Sequence, residues 1–194
     1  MRRVVSILGV VVLGAAPLLF AGDFAGAQIP ACPASGGDFL TGGGFIVGAT
    51  PTDSPGAHAN FGVGGSCEQG GGPHGLWGHL EYIDHGMGLN VHWTTITAYR
   101  ADIFGDPNAR IICGTARTNL FGDVDFAVRA ADDGQPGKGV DQFDIILMGP
   151  GGAYSTSPNL SGPFHTLVGG NIVLHNPNPA GPFGGACPAL NINV

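Results

Sequence analysis

A chain of 194 residues is long enough for one domain with a real core, and its seven basic against fourteen acidic side chains give a net charge of −7 with histidine neutral. That balance excludes nucleic-acid binding by phosphate neutralisation, because only lysine and arginine displace the counterions of a phosphate backbone. The 36 glycines and 15 prolines would mean disorder if spread evenly, but they cluster between apolar segments and so punctuate a folded, turn-rich chain.

Residues 1–27 read as a secretory signal peptide. Arg2-Arg3 supply its positive start, residues 4–20 its apolar run and Ala25-Gly26-Ala27 a small-x-small cleavage pattern. The run is interrupted by Gly9, Gly14 and Pro17 and is short for ~30 Å of hydrocarbon, so no membrane span is expected after cleavage at Gln28. The protein is therefore expected to be secreted and extracellular. A lead-in over 28–42 precedes a single β-domain over 43–176, and a Pro/Gly-rich tail covers 177–194.

Within the domain, period-2 alternation and turn signals predict strands over 44–48, 60–64, 76–83, 89–99, 110–118, 124–131, 140–148 and 171–175. The clearest pair flanks an acidic Gly/Pro turn: Val124, Phe126, Val128 and Ala130 fall on one face, as do Phe143, Ile145 and Leu147 after it. Gly134, Gly137 and Gly139 in that turn are expected to need φ > 0. Residues 70–75 and 149–163 read as loops. No segment has a helical period, and about eight sequential strands imply an all-β fold, an antiparallel sandwich or an up-and-down barrel.

All four cysteines, Cys32, Cys67, Cys113 and Cys187, lie in the exported part, where disulfides persist. Three pairings are open. The expectation taken is Cys32–Cys187, closing the two tails on each other, and Cys67–Cys113, joining a loop to a strand.

A set of words in order, Gly78-His79-Leu80, Tyr82, Asp84-His85, Ile96-Thr97, Gly114-Thr115-Ala116, residues 133–139 (DGQPGKG), Asp141, Phe143, and Gly170-Asn171-Ile172 with His175, resembles the post-COAP domain family of secreted bacterial proteins. The resemblance implies a compact extracellular β-domain and assigns no activity. Gln135 stands where an acidic residue is expected, and the cysteines and tails are additions. The turn itself, from Val128 to Pro136, is similar to the hairpin signature of cadherin-type repeats, which bind calcium between domains. That likeness ends there: no Leu-Ser pair follows the proline and no acidic linker closes the domain.

Candidate chemistry is sparse. Asp132, Asp133 and Asp141 offer hard oxygen ligands suited to Ca²⁺, or equally the side-chain-to-backbone bonds by which aspartate shapes turns. No other cofactor is expected. His79, His85 and His92 would form a transition-metal set if 76–83 and 89–99 make a hairpin, although no metal-binding motif is present. Glu81, Asp84, Asp123 and Asp125 are the carboxylates from which a glycosidase pair would come. There is no G-x-S-x-G elbow. Trp77 and Tyr154, beside or within predicted loops, are the candidate contact residues of a binding surface.

Three functional readings follow. The first is a secreted non-enzymatic β-domain that binds, or is structural, at the cell surface or in the extracellular space, with a cell-envelope or extracellular partner. The second is a small hydrophobic-ligand-binding β-barrel, for which Trp77, Tyr82, Trp93 and Phe126 must line a hollow. The third is a secreted metal-dependent enzyme using the histidines. With no compact catalytic set in the sequence, the first takes precedence.

Overall fold

The computed structural model describes residues 32, 37–50, 56–67 and 75–190; the predicted signal peptide, 1–27, lies outside them. Ten strands form in chain order: β1 Phe39–Val47, β2 His58–Cys67, β3 Leu76–Asp84, β4 Leu89–Ala101, β5 Ala109–Thr118, β6 Gly122–Ala131, β7 Gln142–Gly149, β8 Gly152–Ser155, β9 Gly169–His175 and β10 Gly184–Gly185. β1 to β8 pair antiparallel as a meander, β9 returns to pair with β1, and β10 lies on β4. The all-β expectation holds, as one curled antiparallel sheet. No helix among the described residues is long and apolar enough to cross a membrane.

The curl follows from the side-chain alternation. Val124, Phe126, Val128 and Ala130 of β6 and Phe143, Ile145 and Leu147 of β7 all enter one core cluster, together with Leu40, Phe61, Leu80, Tyr82, Tyr99 and Ile172. Phe61 of β2 and Phe143 of β7 stack with ring centroids 3.8 Å apart, although four strands separate them in the sheet. Such a contact requires the two halves of the sheet to fold over each other. Burying each large apolar side chain there stabilises by about 1.5–3 kcal/mol.

Among the described residues, the outer face is covered on the half that holds β4 to β6. The C-terminal segment crosses β4, β5 and β6, placing Cys187, Ala189 and Leu190 on Ala98, Ile111, Cys113 and Ala127. A buried clamp holds it: Asp38 pairs with Arg110 and accepts hydrogen bonds from Tyr99 Oη (2.7 Å) and the Asn178 amide (2.9 Å), and the Phe183 ring lies 5.4 Å from the Arg110 guanidinium. Burial alone would raise the Asp38 carboxyl, but the hydrogen bonds from Arg110, Tyr99 and Asn178 outweigh it and hold the group below its usual range.

Both disulfides form, but the pairing differs from expectation: Cys32 bonds Cys67 and Cys113 bonds Cys187. Cys67 belongs to the inner cluster and Cys113 to the outer one, on strands separated by β3 and β4, so these two thiols face opposite sides of the sheet. Strand β1 starts at Phe39 rather than at residue 44, because pairing on both sides carries it through Gly42, Gly43 and Gly44. The predicted 149–163 loop contains β8 and a short 3-10 turn, Pro158–Leu160.

Candidate functional site

Two places interrupt the sheet's ladders, and the candidate residues divide between them. The first is the seam where the free edge of β9 meets the acidic turn between β6 and β7. No strand pairs with β9 there; instead the Ile172 amide donates to Asp141 Oδ2 (2.7 Å) and the Leu174 amide to Asp132 Oδ2 (2.9 Å). Alternate residues of a strand point their N–H groups to the same side, so the spacing of two is what a pair of carboxylates can cap. Asp141 Oδ1 also accepts from the Asp133 and Gly134 amides (3.0 and 3.2 Å), and Gly137 N–H donates to Asn171 Oδ1 (2.6 Å).

This arrangement assigns the acidic turn a different task from calcium binding. The oxygens of Asp132 and Asp141 face N–H donors, a setting that fixes an anion and opposes a cation. Asp133 lies at the exposed rim, its carboxyl raised by partial burial and then by the nearby Asp106 charge. Of the three turn glycines, only Gly139 has positive φ, at 83°. Gly137 is needed for space instead: a Cβ there would fall 1.8 Å from Asp141 Oδ2.

The histidines do not converge, and among the described residues no three His, Cys, Asp or Glu side chains are grouped to hold a metal ion. His85 is exposed in the β3–β4 turn. His92 lies directly across the ladder from Glu81 and pairs with it, both largely exposed. His79 is on the same strand as Glu81 but packs against the Trp77 ring edge, centroids 6.0 Å apart. The carboxylates fare no better as a glycosidase pair: Glu81 points out to solvent, Asp84 is fully buried, and Asp123 is engaged by Arg117 at 3.2 Å. Tyr154 is no surface contact either. It is 5% exposed, its hydroxyl bonded to Asp84 Oδ2 (2.8 Å) and Tyr82 Oη (2.6 Å), because β8 turns it into the interior.

The second interruption is between β3 and β4. Their ladder runs from Asp84↔Leu89 to Glu81↔His92 and stops, yet both strands continue, β3 back to Leu76 and β4 on to Ala101. Two irregularities in β4, at Trp93/Thr95 and Ile96/Ala98, accompany the divergence. Bulges increase local twist and terminate pairing on one side, which is the geometry observed. The result is an open cleft of about 330 Å³ between the strands, lined by Trp77, Gly78 and His79 on one wall and Trp93, Thr94 and Thr95 on the other.

Core residues Leu76 and Ile96 floor the cleft, so it does not open into the interior. Trp93 is half-buried against the core from within the gap, whereas Trp77 stands on the rim, 42% exposed. The Trp77 and His79 rings, set nearly perpendicular to each other, come close to the sheet because Gly64 faces them: a Cβ there would meet the His79 ring at 2.8 Å and the Trp77 ring at 3.3 Å. Ser66, directly opposite Trp77 on β2, is buried with its hydroxyl unpaired among the described residues. Both tryptophans of the chain thus belong to this one cleft. No protein-family model, curated protein or solved structure matches this chain.

The sequence singles out Trp77, which the structure places on the rim; the cleft itself is not legible there. The missed signal is in β4 itself. Inward-facing Leu89, Val91, Trp93, Ile96 and Tyr99 are spaced two, two, three and three residues apart, and each three-residue step marks a bulge.

Proposed function

We propose that this chain is an exported, non-enzymatic binding module that receives its ligand in the β3–β4 cleft, at the cell surface or in the extracellular space. The observation that carries the reading is the unpaired stretch of sheet with Trp77 exposed on its rim and Trp93 half-buried between its walls. A large aromatic with a polar edge, left exposed where it could have been packed, is the side chain that most often anchors a partner. The two disulfides support a location in an oxidising compartment, and the resemblance to post-COAP domains supports the same location. The ligand-barrel reading draws no support from the interior, where Phe61, Tyr82, Phe126 and Phe143 fill the space.

Intrinsic fluorescence tests the reading directly, since both tryptophans report on the cleft. Titrating the purified protein with cell-envelope polymer fragments should give a saturable change in emission. Trp77→Ala should abolish that binding while changing the unfolding free energy by about 0.5 kcal/mol or less, the usual range for a surface substitution. Binding that persists unchanged in Trp77→Ala would refute the cleft as the site.

A further inference from the structure

The gap between β3 and β4 is partly filled already, by the chain itself. β10 lies against the β4 edge that β3 has left, with Gly184 opposite Tyr99 and Gly185 opposite Ala98, and the Ala186 amide donates to Thr97 O (3.1 Å). The tail then turns away to Cys187, which the bond to Cys113 draws onto the outer face. Beyond that point the same edge of β4 runs on through residues 93–96 without a ladder partner among the described residues, facing residues 76–80 of β3, which also lack one on that side among them.

Resting on the reading of the cleft as the binding site, we infer that its ligand is an extended polypeptide segment that adds as a strand in line with β10. The chemistry that recognises it is backbone hydrogen bonding. Two strand edges expose rows of N–H and C=O groups, and an incoming strand pairs with them while its alternate side chains meet the floor and the solvent. The free edges are four and five residues long, so about 15 Å of extended peptide fits. Residues pointing down meet Leu76, Trp93 and Ile96, and residues pointing up lie beside Trp77, His79 and Thr94. The preferred segment therefore alternates apolar and small polar residues. The fit also explains how β4 can accept a strand here: it holds one at Ala98 and Tyr99 already.

The test uses the full disulfide-bonded protein and a set of capped five-residue peptides alternating Val, Ile or Phe with Ser or Thr, read by tryptophan emission. At least one peptide should bind saturably. N-methylation of its residues in either of the two alternating registers should weaken binding at least tenfold, because one register carries the N–H groups paired to β4 and the other those paired to β3. A soluble β-linked glucan hexasaccharide serves as the contrasting probe. Glucan binding that depends on Trp77, with no peptide bound up to millimolar concentration, would overturn the strand proposal and leave the cleft reading intact. Peptide binding indifferent to methylation in both registers would overturn it as well. Failure of the cleft reading looks different: any bound probe would then be insensitive to Trp77→Ala.

Discussion

The sheet is interrupted twice, and the two interruptions are handled in opposite ways. At the β9 seam the Ile172 and Leu174 amides, which face no ladder partner, each find an aspartate, and Asp141 alone accepts three N–H bonds. At the β3–β4 gap the tail closes one end and the middle is left open under an exposed tryptophan. A protein that seals one edge this fully leaves another open at a cost in stability, since unpaired edges invite association. The seam is built for stability, and the gap is the place we propose for contact.

The largest test of this contrast is Asp141→Ala. Three amides lose their acceptor at once, that of Ile172 buried and those of Asp133 and Gly134 part-buried, and at roughly 1–3 kcal/mol per unpaired donor the loss should be about 3–6 kcal/mol in chemical denaturation. A loss under about 1 kcal/mol would mean that the seam does not hold the curl closed.

The tail that closes the far end of the gap should respond next. Asp38→Asn leaves Arg110 buried without its charge partner, an expected loss of about 3–5 kcal/mol. Because the folded carboxyl sits below its ordinary value of 3.8, the native pair's contribution is fully present above that value and is lost as pH falls through the lower folded one. Asp38→Asn should therefore flatten the acid limb of the stability curve, and an unchanged acid limb would remove Asp38 from the clamp. Removing the outer bridge with the double variant Cys113→Ala, Cys187→Ala should cost a smaller ~2–4 kcal/mol. The same variant sharpens the comparison, because a loosened β10 exposes more of the β4 edge: limited proteolysis should cut the tail while the seam stays protected.

Legibility in the sequence follows the same division. The β6–β7 hairpin can be read because Val124, Phe126, Val128 and Ala130 alternate strictly and Asp141 bonds the Asp133 and Gly134 amides within the turn itself. β1 was shortened because three consecutive glycines carry no alternation, and only pairing with β2 and β9 makes them a strand. The disulfide pairing depends on which face of the sheet each cysteine occupies, and the return of β9 to β1 depends on the curl; neither is a property of a short window. Tyr154 is hidden in the sequence because a four-residue strand set between Gly149-Pro150-Gly151 and Thr156-Ser157-Pro158 looks like a loop, while its hydroxyl partners lie 70 and 72 residues away. At the seam, the sequence marks Asp132, Asp133 and Asp141 as calcium ligands or turn-shaping side chains; what it hides is that Asp132 and Asp141 each also accept an amide of a distant strand.

Native-state hydrogen exchange measures both interruptions in one experiment. The account predicts that the Ile172 and Leu174 amides exchange only through global unfolding, while those amides of residues 93–96 that face away from β5 exchange through local fluctuation in the free protein and gain protection when a ligand binds. Fast exchange at Ile172 and Leu174, or full protection along the β3–β4 gap without ligand, would contradict it.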